Sequence, residues 1–437
     1  MKVGRSYVLV LLTVILAFNY LDRISLGIVL QDIKVDLHLS DSQLGFLTGI
    51  AFALFYSLLG LPIARWADQG HRVGIISLSV ALWSVAVILC GSATSFVQMM
   101  VVRVVAAVGE SGCVPASLSL ISGYFSREER PRAMSFYMQG ISASLILGFF
   151  AAGWLDEKVG WRATFALIGL PGLVLALLAR QTIHEPVQLE NEVTRTAAPP
   201  PSFREVCFFL WKSKAFRHLL YSATVIWFFG YGTLQWTPAY FERSFGLKPG
   251  ELGSWLAVIY GVMNVIGLYL GGEWATRYAL RNERRQLKAM AIVTLVSGVL
   301  TALVYLPSAA LNAYVAFAWL ALASVAGAAI GGPQFSVMQE LVPPRMRAVA
   351  VAIVYLVGNL IGMGVGPWTV GVVSDALRPW FGEESLRYAI VLMCPVCGYG
   401  AWHLWAAARS VTVDVDRAKS LARDYDDVED AGASEVL

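Results

Sequence analysis

Two apolar runs of this chain carry charges where a membrane would hide them. Asp22 and Arg23 lie within the run from Tyr7 to Leu30, and Arg103 and Glu110 within the run from Val97 to Tyr124. Each run is long enough to cross a bilayer as a helix. An ionisable side chain at that depth is costly and marks a functional site by default. Arginine suits an anion, because its planar guanidinium offers paired donors and keeps its charge. A buried carboxylate suits a proton: burial favours its neutral form and nearby arginines favour the charged one, so small rearrangements tip the balance. Arg103 and Glu110 are about two turns apart on one helix face. Asp22 and Arg23 are neighbours and diverge by about 100°, so they do not simply pair with each other. Gly109 and Gly112 permit close approach of another helix or a ligand. In a purely structural alternative, Glu110 only neutralises Arg103.

Those four residues need helices to hold them, and the composition supplies helices in number. Of 437 residues, 57% are hydrophobic and 14% charged, and the mean hydropathy is +0.62. Soluble domains average about 25% charged. Apolar windows of spanning length fall at 7–30, 42–66, 73–92, 96–124, 132–155, 163–183, 216–241, 251–275, 287–307, 311–341, 346–374 and 387–408. The expected fold class is therefore an all-α membrane protein with twelve transmembrane helices. The first run is too long for a signal peptide and lacks a small-residue cleavage site. With the N-terminus inside, most of the 33 Lys and Arg fall on the cytoplasmic side, which places both termini in the cytoplasm of a multi-pass protein. Short loops and the absence of an N-x-S/T sequon favour a bacterial inner membrane. A net charge of +3 gives no sign of nucleic-acid binding. Cys394 and Cys397 form a CxxC, but inside an apolar span they read as packed thiols. No metal spacing, nucleotide loop or nucleophile–base set is present, so neither a cofactor nor an enzyme is expected.

The organisation is two six-helix bundles, 1–184 and 214–409. Between them, 185–213 is a polar linker marked by Glu190-Asn191-Glu192 and Pro199-Pro200-Pro201. It ends in a short amphipathic helix carrying Phe203, Val206, Phe209 and Leu210, expected to lie on the inner membrane surface. The acidic end, 410–437, is expected to be a solvated, disordered tail. The bundles repeat: Ala67-Asp68 corresponds to Ala275-Thr276, Arg130-Pro131-Arg132-Ala133 to Arg345-Met346-Arg347-Ala348, and Asp156 to Asp375. Parallel six-helix repeats with a site between them describe the major facilitator architecture.

The loop after the second span, Ala64-Arg65-Trp66-Ala67-Asp68-Gln69-Gly70-His71-Arg72, resembles the major facilitator signature G-x-L-A-D-R-x-G-R-R. Ala67, Asp68 and Arg72 match it; Ala64, Gln69 and His71 depart from it. The resemblance implies a conformational latch at Asp68 and Arg72 that favours the outward-facing state. A carboxylate there suits the positive end of a neighbouring helix. Thr276 stands at the equivalent place in the second half, where the latch should be weaker.

The C-terminal bundle has no charge at mid-membrane depth and offers amides and aromatics instead, among them Trp227, Tyr231, Trp236, Gln334 and Phe335. Many such aromatics only pack or face lipid. Asn19-Tyr20-Leu21-Asp22-Arg23, Arg103 with Gly109-Glu110-Ser111, Ser126 to Tyr137, Trp161-Arg162, Leu170-Pro171-Gly172-Leu173, Glu185-Pro186, Leu234 to Ala239 and Gly271-Gly272 resemble the Spinster family of lysolipid and sphingolipid transporters. That resemblance implies alternating-access transport of an amphipathic anionic lipid, a lysophospholipid or sphingoid phosphate, coupled to protons. The residues agree: charges in one half and aromatics in the other make an amphipathic cavity. Arg23 and Arg103, with Asn19, Tyr20 and the five C-terminal residues named above, are the candidate substrate ligands. Glu110 and Asp22 are the candidate proton carriers. The expected partners are an amphipathic anion, protons and membrane lipids, and a monomer is expected. Two alternatives stay open, a proton symporter of a small organic or sugar acid, and a non-transporting receptor or scaffold with the same fold.

Overall fold

The computed structural model describes residues 4–68, 71–126, 128–185, 202–279, 282–306 and 312–434, and among them the chain is helical without strands. Among the described residues, nine helical stretches are long and apolar enough to cross a membrane. Two of these hold two passes each. Arg130–Thr182 folds back at Gly160, whose φ of 78° an L side chain would resist. Val349–Ala422 folds back around the turn Gly382–Glu384. The helix Lys214–Phe245 contains the twelfth pass; Tyr221, Trp227, Tyr231, Gln235 and Trp236 in its middle lower its mean hydropathy. An even number of passes brings both ends of the described chain to one face, here the terminal face. The opposite face carries Leu30–Leu37 and Gly382–Glu384, and is here the far face.

The connection between the halves is described from Ser202. The Ser202–Glu205 capping box starts the short helix Phe203–Lys212, which buries Val206 and Leu210 and exposes Phe203, Phe208 and Trp211. Its apolar surface is thus wider than the expected face, and Phe203 belongs to the exposed side. Residues 186–201, with the acidic and proline runs of the linker, lie outside the described residues. The expected disordered tail needs correction. The last helix, Pro395–Ser434, continues through its first part, and Val411, Val415 and Ala418 are buried. Asp414 accepts hydrogen bonds from Ser213 Oγ (3.0 Å) and the Ala215 N–H (2.8 Å), so this acidic residue serves packing. The Asp68 side chain lies outside the described residues. Arg72 heads span 3 with its Nε unpartnered among the described residues.

At the far face the two halves join through two equivalent helix pairs. Span 5 meets span 8 at Gly153, whose added Cβ would stand 2.2 Å from Pro249 O, and at Gly253, 2.3 Å from Phe149 O. Span 2 (Asp41–Thr48, Ile50–Asp68) meets span 11 in the same way, with Gly45 2.5 Å from Pro367 O and Gly371 2.2 Å from Asp41 O. Small residues are what let helix backbones touch. Each pair is also capped. Glu157 accepts from the Gly250 N–H (3.0 Å) at the start of span 8, and Asp375 accepts from the N–H groups of Asp41 (3.0 Å) and Ser42 (2.7 Å) at the start of span 2. A carboxylate at a helix N-terminus satisfies free N–H groups and meets the positive end of the dipole. Arg243 adds a bidentate bond to Asp41 (2.7 and 2.9 Å) and a bond to Gln31 (2.7 Å). Lys34 also holds Asp41, at 2.7 Å. In spans 8 and 11, π-helical turns at Ala257–Met263 and Gly358–Val365 widen the helices below these contacts, a distortion common at functional sites.

A cysteine pair at Trp154 and Ser254, whose side chains are bonded at 3.0 Å, should crosslink readily. Gly153→Val should cut that yield at least fivefold, because overpacking against rigid backbone costs about 1–3 kcal/mol. An unchanged yield would show that the halves do not need this contact.

Candidate functional site

The four buried charges of the N-terminal half come together, but crosswise. Arg23 of span 1 bonds Glu110 of span 4, with Nε 2.6 Å and Nη2 2.5 Å from Oε2. Arg103 of span 4 bonds Asp22 of span 1, Nη1 to Oδ2, at 2.9 Å. The purely structural alternative, in which Glu110 pairs with Arg103 along one helix, is not what forms. Seven residues bring two side chains to one face, yet here each charge meets its opposite on the other helix, so the two spans are bolted together twice. The cluster is neutral in sum. Removing one member would leave an uncompensated buried charge, at a cost of about 3–5 kcal/mol.

The two arginines differ in access. Arg103 is 1% exposed, whereas the Arg23 side chain is 14% exposed. Arg23 is also boxed by rings: its guanidinium carbon is 4.6 Å from the centre of Tyr20, 4.5 Å from Phe52 and 4.5 Å from Tyr56. Such faces attract a cation and hold its plane. Its Nη1 also lies 3.9 Å from Met363 Sδ, in the other half. Sequence reading missed Phe52, Tyr56 and Met363. The i, i+4 spacing of Phe52 and Tyr56 was a signal for one aromatic face, but nothing in the sequence aimed that face at Arg23.

Arg23 and Arg103 border a cavity of about 210 Å³ between the halves, with Tyr20, Thr48, Gln235 and Tyr231 on its wall. Against it lies a larger chamber of about 380 Å³ in the C-terminal half; Leu145, Tyr231 and Leu234 border both. Trp227, Tyr260, Leu320 and Ala328 line the chamber, and its polar groups are neutral, such as Asn264, Thr301 and Gln334. The whole space is therefore charged at one end and, at the other, uncharged, with aromatic, aliphatic and neutral polar walls.

Not every expected ligand faces this space. Tyr231 borders both parts, and Trp227 and Gln334 line the chamber, with Gln334 Nε2 unpartnered. Phe335 instead stacks on Tyr355 at 5.6 Å, beside a narrow crevice next to the chamber. Trp236 is fully buried and donates Nε1–H to Pro367 O at 2.8 Å. It ties span 7 to span 11, a packing role that its aromatic character did not distinguish from a binding one. Asn19 is fully buried, and both its amide atoms lack a hydrogen-bond partner among the described residues.

A family model described as Major Facilitator Superfamily matches residues 12–419. An MFS-type efflux pump of Mycolicibacterium smegmatis is 28% identical over 402 residues, 91% of each chain. The cis,cis-muconate transport protein of Acinetobacter baylyi is 26% identical over 361 residues, 81% of this chain and 84% of the relative. The crystal structure of a bacterial homologue of the human lysosomal transporter Spinster, in an inward-facing and occupied conformation, superposes with a TM-score of 0.82 at 28% identity, covering 95% of this chain and 99% of that one. With twelve passes in two equivalent bundles and a site between them, the chain belongs to the major facilitator superfamily and is a Spinster-like membrane transporter, not an enzyme.

Proposed function

We propose that this transporter moves an amphipathic organic anion, of the lysophospholipid or sphingoid-phosphate kind, by alternating access and in exchange for or together with protons. The observation that carries this reading is Arg23, the more accessible of the two buried arginines, on the wall of a cavity that continues into a larger chamber without charged groups. The anionic group of the substrate takes the donors that Glu110 now holds. Glu110, left without its partner in a dry site, restores charge balance by taking a proton. The hydrocarbon chain fills the space beside Trp227 and Tyr260. Arg103 and Asp22 keep the scaffold rigid, and Asp22 is the second proton candidate. The far face is shut by Arg243, Asp41 and the capped helix pairs, so substrate reaches this state from the terminal face. The excess of Lys and Arg on that face supports a cytoplasmic orientation for it.

Three outcomes test this. Arg23→Ala should weaken lysophosphatidate binding by purified protein about 10- to 150-fold, since a charged hydrogen bond is worth about 1.5–3 kcal/mol. Arg23→Lys should recover little of it, because the fork is lost. Parent-like binding by both would remove Arg23 from the head-group site.

Filling the chamber by Ala328→Trp should abolish binding of long-chain lysolipids and spare a short dicarboxylate. If the parent protein instead prefers the dicarboxylate, the small-acid reading replaces this one.

In proteoliposomes with an imposed pH gradient, Glu110→Gln should keep substrate exchange and lose uphill accumulation. Uphill accumulation with the parent's pH dependence would leave Glu110 a structural partner of Arg23.

A further inference from the structure

A second group of carboxylates lies away from the central cluster, in the closed far face. Asp156-Glu157-Lys158 lie at the far-face end of span 5, in the last helical residues before the fold-back at Gly160, and Asp156 is 4% exposed. Both its oxygens lack a hydrogen-bond donor among the described residues. Yet its carboxyl stands within hydrogen-bonding reach of Asp32, on the helix Leu30–Leu37, and near Glu242, in the last turn of the helix Lys214–Phe245 at the far face. Two carboxylates so placed are both acceptors and make that bond only if one carries a proton. Asp32 and Asp156 belong to the N-terminal half and Glu242 to the C-terminal half, so closing this face brings the third carboxylate to the pair.

The basic groups nearby are engaged elsewhere. Arg243, next to Glu242, holds Asp41 and Gln31. Lys34, on the helix of Asp32, holds Asp41. Arg162 holds Asp36, and Lys158 lies over Trp154. Glu157 caps Gly250.

We propose that Asp156, Asp32 and Glu242 form a proton-binding site that the far face must load before it closes. The site is separate from Glu110 and Asp22 and does not require coupling there. Burial, then the Asp32 carboxylate, raises Asp156 above the usual carboxylate range; burial and Asp32 do the same to Glu242 against the pull of Arg243. The sign follows: a group whose proton affinity is raised in the closed form stabilises closure at low pH and loses that contribution as pH rises through the raised value. Separation of the halves frees Glu242 from Asp32 and wets all three groups, which releases the proton to the far side.

The test places spin labels at Val35 and Trp380, exposed positions on opposite halves of this face, in lipid nanodiscs of the Glu110→Gln protein so that the central carboxylate is silent. The ratio of open to closed distances should rise with pH, by up to about tenfold per unit for one proton. Asp156→Asn should flatten the response and keep the face closed at high pH. Glu242→Gln should also flatten it, and decides the matter should Asp156→Asn fail to fold, since it removes the carboxylate contributed by the other half. An undiminished pH slope in Glu242→Gln overturns the proposal, as does a slope present with Glu110 and absent in Glu110→Gln. A response to sodium at constant pH would assign the site to a metal cation and overturn it equally. None of these outcomes touches substrate binding at Arg23.

Discussion

Four charges buried beside one another have to sum to zero, and the N-terminal half is built around that requirement. Asp22 and Arg23 diverge on span 1, Arg103 and Glu110 are two turns apart on span 4, and the crossed pairs tie the spans at two levels. The exchange is unequal. One pair is sealed and the other opens to a cavity through an arginine held by three aromatic rings. The sealed pair gives rigidity at the cost of burial; the open pair is the one reached from the cavity.

The C-terminal half answers with volume in place of charge. Its π-helical turns at Ala257–Met263 and Gly358–Val365 occur where spans 8 and 11 approach the space between the halves. They bring Tyr260 to the chamber wall and Met363 to Arg23. Above them the same two helices run straight into glycine contacts with spans 5 and 2. Each of these helices therefore serves as wall at one level and as seal at another, and movement at one level is felt at the other.

Twelve spans were legible because a membrane imposes a length and a polarity on every crossing, and the buried charges stood out against that background. The choice of partner was not legible. The sequence offers Arg103 and Glu110 on one face, and only the packing of span 1 on span 4 sends each to the other helix. Trp236 and Trp227 are alike as residues, but one is locked to Pro367 and the other borders the chamber. Asp156 aligned with Asp375 as a repeat, whereas it is Glu157, one residue later, that caps the opposite half as Asp375 does. The carboxylate at 156 was thereby freed for a different environment. Asp414 appeared to belong to a loose acidic tail and is instead a buried acceptor.

The reciprocal caps have a kinetic corollary. The amide hydrogens of Ser42 and Gly250 bond to carboxylates carried by the opposite half, and the first amides of a helix have no partner within it. These hydrogens are shielded from solvent exchange only while the far face is shut. Their exchange lifetimes thus time the opening of the transporter in unlabelled protein, with one clock on each of the two helix pairs, and a difference between the clocks would show one seam parting before the other.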